Sequence, residues 1–539
     1  MKRRNFIKLT SSASALGLFP YEITSALKVA EKFLDCNITN RKLVLINLAG
    51  GNDGLNTVIP INNYDLYSNL RPTIRIPDTG SNSFINLDTT LPDNQQLGLH
   101  PTLVGLKNVY DSGILRILQS VGYPSQNKSH FASTDIYNTG NDGNSWLNGG
   151  DSGWIGRFME SYYYGLVESS YPLGVEIGSK SGSLGFHGEA EHGLAINIEG
   201  QDASGFYSVL SGLGGLPPEY IPDSHYGVEL QYIIENDQLS NTYSEAISNA
   251  FNNGSNSATY QDTDISNQLK TVARLISGGL QSKIYLVQLR GFDTHFSQIQ
   301  SQNDVIGRHS ELLTELDGAI SKFMIDVQSQ GFDGDIVGLT FSEFGRKAKE
   351  NGNLGTDHGE IAPMFVFGTP VNGGVSGVNV DLTEANENNN WQIQSYQYDY
   401  RQTIGTLLQD YLGADNQAID ATFFDHTNND SFSNNKISEL IKPEFSVAEN
   451  CYTNTLANDE VVNKLFSVSP NPFNNNIVIG GYNYSGDIGY KIYDLNSKLI
   501  KEGKTLIDEP IVINGIMNGI YLITLKYDNR VESHRIIKS

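Results

Sequence analysis

Residues 43–54 read LVLINLAGGNDG, a short apolar run that passes directly into a glycine-rich turn. Such a run is typical of a buried parallel strand with a turn at its carboxyl end. Between two of the later runs, apolar residues follow a helical spacing from 308 to 327. Strand, helix and strand in this order predict an α/β domain whose mostly parallel sheet is flanked by helices. The later runs are 115–119, 284–289, 336–340 and 364–367, and the helix lies between the runs at 284–289 and 336–340.

The composition limits the partners of the chain. Its 539 residues exceed one ordinary domain, so we expect two or more. The formal net charge is -24, and no nucleic-acid partner is expected for so acidic a chain, because phosphate backbones favour basic surfaces. The same charge repels anions at long range. An anionic substrate therefore has to be captured locally, by metal ions or by a few arginines.

The amino terminus carries features of an export signal, which we place at residues 1–30. The sequence MKRRNFIK at 1–8 has paired arginines followed by Phe, Ile and Lys, and a weakly apolar run comes next. This order resembles a twin-arginine signal, although a basic amphipathic helix would begin similarly. The run is too short to span a bilayer and no later segment is long enough, so no transmembrane helix is expected.

Beyond the α/β domain, which we place at 41–426, the sequence changes character twice. Residues 427–463 are rich in Asn, Ser, Asp and Glu without periodicity, which indicates a linker. From 464 to 539 short strand patterns alternate with turns, which predicts a small C-terminal β-sandwich. Cys36 and Cys451 flank the α/β domain, and the sequence leaves open whether they pair.

The terminal sandwich carries three landmarks in order, SPNPF at 469–473, NGIY at 518–521 and the final Lys538-Ser539. They resemble the C-terminal sorting domain of the type IX secretion system of Bacteroidetes. The resemblance implies that the chain engages the type IX secretion machinery and is secreted or attached to the outer cell surface after periplasmic export. An ordinary accessory sandwich is the alternative. Cargo of that system usually reaches the periplasm by the general secretory route, so the twin-arginine pattern is a departure.

Acidic and imidazole side chains stand beside three of the predicted strands. Carboxylates at the carboxyl ends of parallel strands point into the crevice where α/β domains bind ligands. Oxygen and imidazole donors of this kind bind divalent cations. Each group alone also suits a helix cap or a structural hydrogen bond, so the hypothesis rests on their convergence. The residues are Asp53 after the first strand, Asp293 and His295 after the run at 284–289, and Asp357 and His358 before the run at 364–367.

Five motifs together resemble one uncharacterised family, domain of unknown function number fifteen hundred and one, which is related to the alkaline phosphatase and sulfatase superfamily. They are LAGGNDG at 48–54, SHF at 129–131, GFDTH at 291–295, FSEFGR at 341–346 and TDHG at 356–359. The resemblance implies an alkaline phosphatase-like fold that hydrolyses a small anionic ester or a sulfated or phosphorylated glycan. It also implies one or two divalent ions, with Zn, Ca, Mg and Mn all open. The implied ligands are Asp53, Asp293, His295, Asp357 and His358.

The nucleophile is less clearly marked, and Ser129 and His130 are the candidate catalytic residues. In the superfamily the helix that carries the nucleophile often ends in Thr-Gly, as residues 139–140 do here. The usual spacing then selects His130, whereas a shift of one residue selects Ser129. Ser133 and Thr134 remain alternatives, and Ser129 equally suits a helix N-cap. No formylglycine motif of the Cys-x-Pro-x-Arg type occurs in the sequence, which disfavours a formylglycine sulfatase.

Three further residues complete the candidate site. A guanidinium holds an anionic group with two hydrogen bonds, so Arg346 is a candidate catalytic residue and Arg290 a candidate substrate-binding residue. Glu343 suits a ligand, a base or a structural residue, and we place it with substrate binding. The late histidine of two-metal superfamily members has no clear counterpart, because no histidine stands just before Asp399 and His426 lies further on.

The sequence therefore predicts an exported, metal-dependent hydrolase-like protein that acts on phosphate or sulfate esters at the cell surface. The doubtful second metal site favours one alternative, in which a non-catalytic member of the same fold binds glycan or another surface component. A structural or adhesive surface protein is the other alternative, and the acidic, Asn-rich composition is its only support.

Overall fold

The structure is a computed structural model with two compact units, Phe33–Tyr452 and a second that contains Thr453–Ser539. The predicted export signal, both cysteines and His426 lie outside the described residues, so the predictions made for them stay open. The described residues are 38–144, 152–163, 166, 169–178, 183–188, 195–198, 243–302, 304–423, 432–447, 466–470, 473–481, 486–494, 499–507, 509–516, 519–527 and 530–538.

The larger unit is built on a mixed sheet with two small accessory sheets. Its strands are β1 Lys42–Ala49, β2 Val58–Pro60, β3 Ile85–Asn86, β4 Leu97–Leu99, β5 Leu115–Gly122, β6 Gly174–Ile177, β7 Ala195–Ile198, β8 Ile284–Arg290, β9 Ile336–Phe341, β10 Arg346–Glu350, β11 Thr356–His358, β12 Ala362–Phe367, β13 Gly374–Ser376 and β14 Tyr398–Asp399. The main sheet has the order β13-β5-β12-β9-β1-β8-β6-β7, with β14 on β5, while β2-β4-β3 and β10-β11 stand apart. Every predicted apolar run is a strand of the main sheet.

Most neighbours in the main sheet run parallel, as predicted. β1 pairs in parallel with both β8 and β9, so that Leu45 stands opposite Leu286 and Leu339. β12 is an exception, because it runs antiparallel to β5 and β9. The run at 364–367 is therefore an antiparallel strand within the mostly parallel sheet. The chain between β9 and β12 passes only through β10 and β11, whereas a parallel return needs a longer crossover, usually a helix.

Helices cover the sheet, and the predicted α/β fold class is confirmed. The predicted helix at 308–327 is α7 (Arg308–Ser329), whose Leu312, Leu316 and Phe323 are fully buried. This helix packs against α3 (Val104–Asp111) and α6 (Asp264–Ser277). Burying each such side chain contributes about 1.5–3 kcal/mol. No helix among the described residues is long and apolar enough to cross a bilayer. The helices are α1 Gly54–Thr57, α2 Tyr64–Leu70, α3 Val104–Asp111, α4 His130–Thr139, α5 Trp154–Tyr162, α6 Asp264–Ser277, α7 Arg308–Ser329, α8 Tyr400–Thr406 and α9 Asn416–Thr422, and residues 243–253 are also helical.

The second unit holds the predicted β-sandwich. One antiparallel sheet has three neighbouring strands in the order Phe466–Ser469, Asn476–Gly481 and Pro510–Val512, and the other has four in the order Leu499–Thr505, Ile488–Asp494, Gly519–Tyr527 and Arg530–Lys538. Ile477 of the first sheet and Ile492 and Ile523 of the second are fully buried in a shared core. They alternate with outward residues, as in face-to-face sheet packing. The strands are β15 Phe466–Ser469, β16 Asn476–Gly481, β17 Ile488–Asp494, β18 Leu499–Thr505, β19 Pro510–Val512, β20 Gly519–Tyr527 and β21 Arg530–Lys538.

Part of the segment predicted as a linker is folded. Residues 432–447 belong to the larger unit, where Leu440 is fully buried and Ile441 bridges to Val371. The segment is polar on average, but it carries enough apolar side chains to pack on its neighbours. The average composition of the segment does not reveal these few buried apolar side chains.

Candidate metal centre

The ends of β1 and β8 meet the β10–β11 hairpin and the first turn of α4. Within the hairpin, Arg346 stands opposite His358. The turn after β1 contains Gly50, whose φ is +120° and where a side chain would collide with the backbone nitrogen of Asp293. Only glycine tolerates both the positive φ and the close approach of the Asp293 backbone. The glycine-rich turn therefore allows the end of β1 to pack directly on the loop that carries Asp293.

Histidines from α4, from the loop after β8 and from β11 surround one carboxylate oxygen. The Nε2 atom of His130 lies 3.4 Å from Oδ1 of Asp293. The Nε2 atoms of His295 and His358 each lie 3.3 Å from the same oxygen. Those two nitrogens are 2.9 Å apart. The side chain of Asp293 is 49 % exposed, so the cluster opens to solvent.

The opposite ring nitrogen of each histidine faces an acceptor. Nδ1 of His130 lies 2.8 Å from Oε1 of Glu343, and Nδ1 of His295 lies 3.2 Å from Oδ1 of Asp357. Nδ1 of His358 lies 2.8 Å from the backbone oxygen of Lys128. Carboxylates and carbonyls only accept hydrogen bonds, so each Nδ1 donates a hydrogen bond to its partner. In the neutral imidazole with its proton on Nδ1, each Nε2 presents a lone pair towards the centre.

This donor set fits a divalent cation. Ligands held at about 2.0–2.1 Å in a tetrahedral zinc site stand about 3.3–3.4 Å from one another, and the cluster distances of 2.9–3.4 Å are of this size. Lone pairs and a carboxylate aimed at one point repel each other unless positive charge lies between them. Among the described residues, His130, Asp293 and His358 have ligand atoms that all lie within 4.8 Å of one another.

Asp293 is held in its ionised form. Partial burial by itself raises the pKa of Asp293, but the hydrogen bond and charge of Arg346 and the nearby His130 outweigh it and lower the pKa to about 2. The pKa of His130 is raised, chiefly by its hydrogen bond to Glu343. Asp293 is therefore a carboxylate at neutral pH, which is the form that binds metal.

Arg346 lies behind the centre rather than in front of it. Its side chain is fully buried, and each of its three guanidinium nitrogens donates to an acceptor of the protein. The structure therefore places the guanidinium against the backbone and Asp293, where we expected a group that faces the substrate. The acceptors are the backbone oxygens of Gly50, Gly51, Phe292 and Thr356 and the Asp293 carboxylate.

Asp53 is kept away from the histidines by a partner that the sequence did not reveal. Its side chain is fully buried, and Oδ2 accepts from Nη1 of Arg71 at 2.7 Å and from Nε2 of Gln298 at 2.6 Å. Burial alone raises the pKa of Asp53, but the charge and hydrogen bond of Arg71 lower it overall. The structure thus assigns this carboxylate, expected to be a ligand, to a buried ion pair at the base of the site.

Two other expected site residues support histidines instead of facing a ligand. Glu343 is buried and accepts from the backbone nitrogen of Gly50 at 2.9 Å as well as contacting His130. Asp357 contacts His295, and its other oxygen lies 3.4 Å from Nζ of Lys347. Such carboxylates fix the ring orientation and the protonated nitrogen of a metal-binding histidine.

Ser129 and Arg290 lie at the solvent side. Ser129 is the N-cap residue of α4 but makes no capping hydrogen bond through its side chain, and it is exposed beside His130. Arg290 is exposed at the end of β8, and its Nε donates to Oε1 of Gln288 at 2.6 Å. Both side chains are therefore open to solvent.

Sequence reasoning found most of the cluster but not all of the roles within it. The SHF motif pointed to His130, and the structure places that imidazole among the possible ligands rather than at the nucleophile position. No sequence motif pointed to Arg71 or Gln298. The first lies in a stretch without a motif, and the second is an ordinary polar residue until its partners are known.

Comparison with known families supports both resemblances. Residues 235–428 match the family described as "Protein of unknown function (DUF1501)". Residues 467–539 match the "Secretion system C-terminal sorting domain". The two resemblances inferred from motifs are thereby confirmed. The sorting domain marks the chain for export through the type IX machinery, with secretion or attachment to the cell surface. No functionally curated protein matches the sequence.

Solved structures of the alkaline phosphatase and sulfatase type resemble the chain at low identity. A protein in the alkaline phosphatase superfamily from Vibrio parahaemolyticus is 10% identical with a TM-score of 0.30, over 87% of this chain and 82% of its own. The PsFucS1 sulfatase from Pseudoalteromonas sp. is 10% identical with a TM-score of 0.26, over 66% and 68%. Similarity at these TM-scores does not indicate which reaction the chain catalyses, so any reaction has to be inferred from the side chains of the site.

Proposed function

We propose that the chain is an exported, metal-dependent hydrolase of phosphate or sulfate esters that acts at the cell surface. The observation that supports it is the set of imidazoles from His130, His295 and His358, each with Nδ1 on an acceptor and Nε2 directed at Asp293. A purely structural histidine cluster has no need for lone pairs that meet at one solvent-open point. Of the four metals left open, imidazole-rich donors favour Zn²⁺ over Ca²⁺, Mg²⁺ and Mn²⁺, which prefer oxygen ligands.

The residues around the metal centre have separate roles in the proposed reaction. A divalent ion, when bound, supplies a Lewis acid for an oxygen of the ester group. Glu343, Asp357 and the Lys128 carbonyl keep the protons on the outer ring nitrogens, so the inner nitrogens stay free to bind. Arg346 holds Asp293 in place and keeps it ionised. None of these groups needs to move during a reaction, which is the preorganisation that lowers a barrier electrostatically.

Ser129 is the group that we propose as nucleophile. Its hydroxyl is exposed, is not used as a helix cap and stands next to His130 in the chain. A serine becomes nucleophilic only when a base or a metal assists it. The neighbouring centre meets that requirement, and the amino end of α4 favours the negative charge of an approaching ester group.

The test combines metal content with activity. The full-length protein should carry metal, measured by mass spectrometry, and should hydrolyse p-nitrophenyl phosphate, p-nitrophenyl sulfate or a related ester. His358→Ala should lose both properties, whereas Ser129→Ala should keep the metal and lose turnover. His187→Ala, an exposed histidine outside the cluster, is the matched control and should keep both.

Two outcomes contradict the proposal. A wild-type protein without metal after purification in zinc or manganese would refute the metal centre. Bound metal with no hydrolysis of any phosphate or sulfate ester would instead support the alternative, a non-catalytic member of the fold that binds a surface component.

A further inference from the structure

A polar cavity of about 330 Å³ lies between α4 and one face of the main sheet. Volumes of this size lie at the lower end of the range found for small-molecule sites. On the sheet side, Asn47 stands opposite Gln288 and Phe341, so the side chains of the three residues share a face. Neither the ester chemistry nor the cluster described above uses this space.

The cavity adjoins the metal centre through three elements of its wall. α4, which lines it with Thr134, begins with His130. β8, which lines it as far as Arg290, continues to Asp293, and β9, which ends at Phe341, leads to Glu343. Thr134 lies one helical turn beyond His130, a rise of about 6 Å along the axis. The wall of the cavity is therefore built on three of the elements that also carry residues of the metal centre.

The wall presents hydrogen-bonding groups of both kinds. Asn47 and Asn138 offer amides, Thr134 a hydroxyl and Asp135 a carboxylate, and Arg290 stands at the edge. The buried Oδ1 of Asn47 has no hydrogen-bond partner within the described part of the chain. Alternating donors and acceptors of this type suit a ligand with several hydroxyl groups, because each hydroxyl both donates and accepts.

The same face of α4 also exposes an aromatic ring. Phe131, Thr134, Asp135 and Asn138 are spaced i, i+3, i+4 and i+7, so they lie along one side of the helix. Phe131 is 87% exposed, an unusual position for a large apolar side chain. A ring beside a polar cavity suits a molecule with an apolar face and a polar rim, which is the character of a pyranose.

We propose that this cavity, together with Phe131 on the same side of α4, binds a neutral sugar unit that bears the ester hydrolysed at the metal centre. The assignment rests on the proposed function for the identity of that ester but not for sugar binding itself. The wall carries Asp135 and Glu176 against Arg290, which leaves one negative charge in excess. That excess favours a neutral sugar over a uronic acid.

The binding test uses simple sugars and the full-length protein. Methyl glycosides of galactose, fucose and N-acetylglucosamine, with glucuronic acid as the charged comparison, are titrated by saturation-transfer NMR. At least one neutral glycoside should bind more tightly than glucuronic acid. Phe131→Ala should weaken that binding about fivefold or more, by the loss of an aromatic contact. Thr134→Phe, which fills the cavity, should do the same.

The matched control is Phe296→Ala, since Phe296 is another exposed phenylalanine and follows His295 in the chain. It should leave the affinity within about twofold, as expected for a surface substitution outside the cavity wall. Equal affinity in Thr134→Phe and wild type, or equal losses in Phe296→Ala and Phe131→Ala, would overturn the assignment.

A final measurement separates this inference from the proposed function. His358→Ala should lose metal and activity yet bind the neutral glycoside within about twofold of wild type, because it leaves the cavity wall intact. Sugar binding without ester hydrolysis in the wild type supports the cavity assignment and refutes the hydrolase. Hydrolysis of p-nitrophenyl phosphate or sulfate without binding of any of the neutral glycosides supports the hydrolase and refutes the cavity assignment.

Discussion

Replacing Asp53 by Asn should destabilise the larger unit without removing its metal. The carboxylate and the Arg71 guanidinium are both fully buried, with Oδ2 and Nη1 2.7 Å apart. Removal of one partner leaves an unpaired buried charge, which costs about 3–5 kcal/mol. The amide keeps the size of the side chain and can still accept from Arg71, so we expect the lower part of that range. The free-energy cost of leaving the buried Arg71 charge without its counterion is larger than the cost of the weakened hydrogen bond.

The assay is urea unfolding followed by intrinsic fluorescence, in excess chelator so that metal binding adds nothing to stability. A fall in the free energy of unfolding by about 3 kcal/mol, with unchanged metal content in the chelator-free protein, is the expected result. The double variant Asp53→Asn with Arg71→Met removes both charges and should recover part of the loss. If Asp53→Asn loses its metal while its stability stays within about 0.5 kcal/mol of wild type, the carboxylate is a ligand and the reasoning fails.

The ion pair also predicts a pH dependence. The pKa of Asp53 is lowered in the folded protein, so the pair contributes stability above the unfolded pKa of about 3.9, and this contribution is lost as the pH falls through the folded value. The stability difference between wild type and Asp53→Asn should therefore be constant near neutral pH and should shrink under acid. Urea midpoints measured from pH 7 downwards test this, and a difference that grows in acid would contradict it.

Three further predictions concern the metal centre. Glu343→Gln and Asp357→Asn should each weaken metal affinity about 10–100-fold, measured by competition with a chelator. His358→Ala should abolish metal binding. Equal effects of all three substitutions would instead indicate that the two carboxylates are direct ligands. Gly50→Ala should lower the free energy of unfolding by about 1–3 kcal/mol, because its positive φ and the nearby Asp293 backbone leave no room for a side chain, and an unchanged urea midpoint would contradict this. Zinc at about 100 times its dissociation constant should add about 2.7 kcal/mol to the unfolding free energy measured in urea, and no change would argue against a site that exists only in the folded protein.

The sequence alone determined the class of fold and the region of the site. Apolar runs between glycines identified the strands of the main sheet, and helical spacing identified α7, because burial on both faces or on one stripe imposes those patterns locally. The same logic identified the terminal sandwich. Asp293 and His295 follow β8 and His358 shortly precedes β12, and residues next to the ends of sheet strands were expected to converge in the crevice at the edge of the sheet.

The tertiary structure decided which way β12 runs and what each polar side chain near the site contacts. An apolar run has no direction, so only the short hairpin before β12 shows that the strand returns antiparallel. Asp53 looked like a ligand until the fold placed Arg71 beside it, and Arg346 looked available until the backbone oxygens around it were in place. Charge and hydrogen-bonding capacity belong to a residue type, but whether they are already satisfied depends on neighbours that are distant in the chain.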